Sequence, residues 1–213
     1  MIAYKFLRAG QVGPFSGVRW PPPGEWLDAK AAAGRACVDR VHACRVEDLP
    51  DWMDCELWRV ELGGDVAVDC SKLVADRGRL IERVDAWDAP RMTAFAEACA
   101  LRARDAALTV LAAGSPAHAA LAACRTADTL AAACAQLAEL DPEDERAAGY
   151  AGDAARHVLG ACAEPATAPT HAAVNGFIAS HAAAFAEDDL GAVARERAWQ
   201  AAWLVLQLGL RSA

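Results

Sequence analysis

The stretch Glu56–Asp65, "ELWRVELGGD", decides how the first half of this chain is read. Trp58, Val60 and Leu62 alternate with Leu57, Arg59 and Glu61, the period of two that places successive side chains on opposite faces of a strand. Gly63-Gly64-Asp65 then supplies the residues that a hairpin turn favours. The expectation is a strand, a turn at the glycine pair, and "VAVDC" returning as its partner.

Outward from this strand the N-terminal half keeps β-type alternation. "IAYKFLR" reads as a short strand by its aromatic and β-branched content. "AGQVGPFSGVRWPPPGEW" is a stiff, non-helical excursion capped by two tryptophans, Trp20 and Trp26, because proline fixes its own φ and pushes its predecessor into extended geometry. "GRLIERVDAWD" reads as a closing strand. In "CVDRVHAC", Val38, Arg40, His42 and Cys44 share one face. "VEDLPDWMD" follows as a short helix or turn, with Glu47 and Asp48 near its positive end and Trp52 docking it on the sheet.

Composition changes at Ala89-Pro90. Residues 1–88 hold five of the seven tryptophans, and residues 89–213 are rich in alanine, leucine and arginine and read as helix throughout. Ser115-Pro116 and Asp141-Pro142 each pair a capping residue with proline at the first helical position. Phe95, Cys99, Ala103, Ala106 and Val110 form one stripe. "SPAHAALAACRTADTLAAACAQLAEL" reads as one helix or as two broken near Arg125-Thr126, and "EPATAPT" as a loop. In the last pair of helices the packed stripes are read as His171, Val174, Ile178, His181 and Phe185, then Trp199, Trp203, Leu206 and Leu210. The pair is joined by the acidic turn "EDDLG". The fold class is α+β: a small mixed or antiparallel sheet domain (1–88) followed by an all-α, alanine-rich bundle (89–213). The junction "DAPR" is too short to act as a flexible linker, so the halves are expected to pack together.

The chain has 213 residues, is 55% hydrophobic and carries a net charge of −8, enough apolar content for a real core. A polyanion needs clustered Lys and Arg to release its counterions, and no such run exists; neither nucleic acid nor a membrane is an expected partner. The start, "MIAYKFLRAG", has no apolar segment after Lys5 and Arg8, and no stretch reaches the ~20 apolar residues of a membrane span. A cytoplasmic location follows. Only three lysines accompany eighteen arginines amid abundant alanine, a bias of GC-rich bacterial genomes. None of the eight cysteines forms a C-x-x-C pair or a zinc-type spacing with His, so buried reduced thiols are expected, with no metal and no cofactor. His171 and His181, ten apart, lack the i, i+4 spacing of a zinc helix and read as packed interior residues, with Asn175 one turn from His171; His118 and His157 stand isolated.

The motifs carry three resemblances. Tyr4-Lys5-Phe6, His42-Ala43-Cys44, Arg59-Val60-Glu61-Leu62-Gly63 and Lys72-Leu73 resemble a phage and bacterial domain of unknown function with a G-[FIV]-H-A-C centre. Arg40-Val41 stands where that domain has its glycine, and the likeness implies a fold over about 85 residues, not an activity. The same half is distantly similar to ADP-ribosyltransferase-like domains, which implies a nicotinamide pocket at His42, with Glu61 as the nearest counterpart of the family glutamate. Thr170-His171-Ala172, Ala182-Ala183 and Glu196–Gln200 are similar in style to helical immunity proteins found beside bacterial toxins.

Two functional readings result. The first is a protein-interaction module of the immunity type, with no catalytic constellation, which binds another protein through Trp20, Trp26 and Arg59. The second is a small-molecule enzyme whose catalytic residues would be His42, Cys44 and Glu61, in a cleft between sheet and bundle. In the plainer reading His42 fixes the corner between strand and helix. Self-association as a homo-oligomer through the last two helices is a third use of the surface.

Overall fold

The computed structural model describes residues 1–29, 40–137 and 140–211. Cys37 and Val38, the start of the alternating run before His42, lie outside the described residues. The chain divides into two compact units, Met1–Asp88 with Ala201–Ala213, and Ala89–Gln200. The class is α+β, a five-stranded antiparallel sheet followed by helices.

In the first unit β1 (Ile2–Leu7) pairs with β4 (Glu56–Asp69), and β4 pairs with β5 (Lys72–Arg83). Two short strands, β2 (Leu27–Asp28) and β3 (Val41–Ala43), lie along the far side of β5. Just past β3, Cys44 exchanges two backbone hydrogen bonds with Tyr4 on β1, at 2.9 and 2.8 Å. The sheet therefore curls until its fourth neighbour meets its first. The interior row holds Ala3, Leu7, Trp20, Trp58, Val60 and Leu80, all buried. Trp58, Val60 and Leu62 do share this face, as their alternation implies.

The glycine pair is not a hairpin turn. β4 continues through it to Asp69, and the ladder slips between Gly63 and Val66, a β-bulge. Gly64 sits at φ +80°, and a Cβ there would lie 2.5 Å from the Asp76 carboxylate, which accepts from the Asp65 N–H at 2.8 Å. "VAVDC" thus prolongs β4 instead of pairing back on it. The reversal comes at Cys70 (φ +55°), between Asp69 and Lys72. Turns and bulges both need left-handed backbone, so the same residues serve either.

After β3, Val46–Asp51 forms a 3₁₀ turn, with Arg45 paired to Asp48 at 2.7 Å. Trp52 donates to the Ser71 carbonyl at 2.8 Å and so docks this turn on the β4–β5 hairpin end.

The second unit contains α1 (Ala89–Val110), α2 (Pro116–Ala123), α3 (Ala127–Gln136), α4 (Pro142–Ala163), α5 (Ala168–Glu187) and the part of α6 (Gly191–Leu208) up to Gln200. The stretch after Ser115 is two helices. Thr126 caps the second through a reciprocal box with Thr129, and Asp141 caps α4 by accepting from Glu143 and Asp144. Of "EPATAPT", Pro165–Thr167 is a 3₁₀ turn and Ala168 already begins α5.

The packed faces differ from those expected of the larger residues. On α1, Ala107 and Leu111 continue the stripe, while Ala106 and Val110 are half-buried. On α5 the buried row is Ala168, Ala172, Asn175, Ala179 and Ala182; His171 is half-buried and His181 is exposed, its ring tilted against that of Phe177 with centroids 4.0 Å apart. On α6, Glu196 and Gln200 are buried, Trp199 and Trp203 half-buried, and Leu206 is 77% exposed. Small side chains win because they let helix backbones approach, so alanine faces inward and bulk turns outward. At this short separation Asn175 donates to the carbonyls of Ala96 on α1 and Ala154 on α4, at 2.9 and 3.0 Å. Gln200 donates to the Gly176 carbonyl at 2.9 Å. Glu196 takes Arg102 at 2.6 Å, and that guanidinium lies 4.2 Å from the Trp199 ring.

Gly78 on β5 is a steric hinge of the first unit. A Cβ there would meet Val41 at 2.8 Å and the Trp20 ring at 3.1 Å. We expect Gly78→Ala to cost about 1–3 kcal/mol in chemical denaturation, the usual penalty for overpacking a core. Unchanged stability would mean that Trp20 and Val41 do not close on this glycine.

Candidate ligand pocket

Lys5 occupies an interior position by strand geometry alone. It alternates with Ala3 and Leu7, which belong to the buried row, so its side chain follows theirs inward. Its Nζ lies 5.5 Å from the centroid of Trp20, a ring with only 4% of its surface exposed. The loop covering this end is held by main-chain bonds: Gly13 N to Val18 O at 2.8 Å, Gly17 N to Gly13 O at 2.9 Å, and Trp20 N to Gln11 O at 2.9 Å. Phe15 projects from it, 77% exposed, edge-on to Trp52 at 6.0 Å.

Two cavities of about 60 and 40 Å³ adjoin beneath this loop. They share Lys5, Pro14, Phe15 and His42. The first is walled by Trp20 and Arg40, the second by Cys44, Trp52 and Lys72. The larger has room for roughly four waters or a small organic group. No carboxylate lines either cavity among the described residues. Arg40 is already engaged with Asp65 and Asp76, and Lys72 with Asp69 at 3.0 Å. Lys5 and His42 have no hydrogen-bond or ion-pair partner among the described residues.

The electrostatics follow from that isolation. Burial lowers the Lys5 pKa from 10.5 to about 8, opposed only by attraction to Cys44. Burial also lowers His42, and Lys5 and Lys72 lower it further, against Asp69. Cys44 moves the other way: burial pushes its thiol up to about 12. Its Sγ donates to the Tyr4 carbonyl at 3.4 Å. A thiol so held forms no thiolate near neutrality and is not a nucleophile.

The residues selected from sequence therefore separate. His42 lines the pocket and Trp20 forms its wall. Cys44 is present but inert. Glu61 is elsewhere: Ala67 is the β4 residue level with Val74 and His42, and Glu61 stands six residues further along, roughly 20 Å at ordinary strand rise. There it accepts Arg79 at 2.6 Å. Arg59 lies two residues beyond, paired with Glu82 at 2.8 Å beside a groove of about 810 Å³ lined also by Tyr4, Arg83 and Arg211. Trp26 is held between Arg77 and Arg79, 4.5 and 4.7 Å from its ring. Sequence reasoning passed over Lys5, although the row Ala3-Lys5-Leu7 already places a cation among inward residues. It also passed over Lys72, which pairing register alone brings to His42.

A second cluster corrects the view that His157 is isolated. His157 on α4 and His171 on α5 face each other with Nδ1 atoms 2.8 Å apart. One ring must donate and the other accept, so a proton on both nitrogens breaks the contact. The groups around them are Asp153, which favours a charged His157, and Arg156, which opposes it. Among the described residues no group of three or more His, Cys, Asp or Glu side chains forms a metal-binding array.

No protein-family model matches the chain, and no characterised protein or solved structure matches it.

The His157 pKa is lowered below 6.5, by burial first and then by His171. The unfolded chain therefore takes up this proton at 6.5, before the folded chain does. Stability is full above 6.5 and falls as pH drops through it, levelling once below the folded value; His42 adds in the same sense. Thermal unfolding followed from roughly pH 8 to pH 5 should show this loss, and His157→Gln should make it shallower. Identical slopes for the two proteins would remove the histidine pair from the account.

Proposed function

We propose that the first unit is a binding module for a small organic anion, taken up in the pocket of Lys5 and His42. The observation that carries this reading is the asymmetry of the pocket walls. In a chain of net charge −8, two adjoining cavities carry Lys5, Arg40, His42 and Lys72 and, among the described residues, no carboxylate. Lys5 has no counter-ion among the described residues, and a carboxylate or phosphate would supply it. Trp20, Phe15 and Trp52 offer apolar faces for the rest of the ligand.

A second reading, an immunity-type interaction module that binds another protein, draws support from bare apolar side chains on the helical unit: Phe177 is 54% exposed and Leu190 86%. Trp20 contributes no surface to it. Recovery of a stoichiometric partner with the tagged protein from native cells would favour this second reading, and recovery of none counts against it.

The anion reading is tested by Lys5→Met, which keeps the length of the stem and removes the charge. Saturable thermal stabilisation by small carboxylates or inorganic phosphate is expected for the native chain and lost in the variant. Without ligand the variant should be as stable as the native chain or more so, by at most about 3 kcal/mol near pH 7, because a desolvated charge is gone. The sign with pH is opposite to that of a salt-bridged lysine. Between pH 8 and 10.5 the folded chain has released the Lys5 proton and the unfolded chain retains it, so stability rises with pH. Lys5→Met should flatten that rise. Equal anion binding by both proteins would overturn the assignment.

A further inference from the structure

We propose that Lys5 is a covalent capture site, its amine condensing with the carbonyl group of a small aldehyde or keto acid to form an imine. The inference deepens the anion-binding reading and rests on it for the acid group of the ligand. It names the part of the ligand that Lys5 itself would hold.

Three observations place a reactive amine here. The Lys5 side chain shares the interior row of β1 and lines both cavities, so it is half-buried and only partly in contact with solvent. The Trp20 ring lies 5.5 Å from its Nζ. Among the described residues no carboxylate on the pocket wall holds it as an ammonium ion. A structural lysine is normally at the surface or paired. A half-buried lysine with no charged partner among the described residues is the arrangement that leaves an amine free to attack a carbonyl.

The step balances without a further reagent. The neutral amine attacks the carbonyl carbon, and a carbon–nitrogen bond forms. The carbonyl oxygen then leaves as water, carrying both amine hydrogens, and the carbon–nitrogen double bond remains. No oxidant or reductant is needed. The protonated imine keeps the positive charge in place, so a carboxylate on the same ligand is still attracted. Lys72, on the wall of the second cavity, gives that carboxylate a further cation.

Burial supplies the fraction of neutral amine. With a pKa of about 8, roughly a tenth of Lys5 is unprotonated at neutral pH, against less than about a thousandth for an ordinary lysine. The lower basicity takes back part of that advantage as weaker nucleophilicity, leaving a net preference on the order of tenfold.

The composition makes the test clean, because the chain has only three lysines, Lys5, Lys30 and Lys72, besides its α-amino group. The full chain is incubated with glyoxylate, an aldehyde bearing a carboxylate, and reduced with borohydride; peptide mapping then locates the carboxymethyl adduct. The expected result is labelling at Lys5 on the order of tenfold above Lys72, mapped separately from any adduct on the α-amine, with a rate that rises through a midpoint near pH 8. Lys5→Arg, which keeps the charge and removes the nucleophile, should abolish it. Propionaldehyde, which lacks the acid group, is the comparison. Equal trapping of both aldehydes at Lys5 upholds capture and overturns the anion reading. Saturable thermal stabilisation by glyoxylate with no adduct at Lys5 does the reverse. Labelling spread evenly over the amines overturns the proposal, and the pH profile of the native chain decides the matter even if the variant fails to fold.

Discussion

The two hydrogen bonds between Tyr4 and Cys44 are the constraint on which the first unit depends. β1 and β3 have no other neighbour in common, being separated around the sheet by β4 and β5. By joining them, the bridge sets Lys5, one residue from Tyr4, at the same mouth as His42, two residues from Cys44. It also explains why Cys44 is buried and bonded to the Tyr4 carbonyl: the thiol fills the seam where a larger side chain would hold the strands apart. The pocket is thus a product of sheet curvature. A flat sheet with the same strand order would leave Lys5 and His42 on strands three places apart, both facing water.

Curvature is also the part of this fold that sequence patterning conveys least. The alternation of Trp58, Val60 and Leu62 is a local signal, and the burial of those residues on one face follows from it. The glycine pair that follows is locally ambiguous. Gly64 needs positive φ in a hairpin turn and in a bulge alike, and the choice rests on Asp76, eleven residues beyond Asp65, whose carboxylate takes the Asp65 N–H. That contact fixes β4 as one long strand, and nothing nearby in sequence announces it. His42 was legible as a strand-end residue. Its companions Lys5 and Lys72 were not, because they reach it through pairing register and closure.

The helical unit shows the same division on a different scale. Caps at Ser115, Thr126 and Asp141 are local chemistry, and each forms as its residue type implies. The facing of α5 and α6 is not local. A stripe of His171, Ile178 and Phe185 carries more apolar area than Ala168, Ala172 and Ala179, yet the alanines go inside. The gain from burying area is outweighed when the alternative face allows main chains to close to the distance at which Asn175 bridges two other helices. Glu196 and Gln200 are buried for the same reason: at short separation they find Arg102 and the Gly176 carbonyl, and a satisfied polar group is tolerated where an unsatisfied one is not. His157, read as isolated, acquires its partner through this approach of α4 and α5.

What distinguishes the pocket from these structural polar groups is the way its charges are left. Glu196, Glu61, Arg59 and Asp76 each have a bonded partner, as an interior or interfacial charge needs. Lys5 is the departure, and its cost is visible in a pKa drawn down to about 8. Removing that cost would take one substitution to an uncharged residue of similar shape, at a position where the neighbours Ala3 and Leu7 are apolar. A desolvated group that local packing does not require is what the proposed ligand would use. The same reasoning sets His42 apart from His157. Both are lowered by burial, but His157 spends its facing nitrogen on His171, while His42 has no hydrogen-bond partner among the described residues.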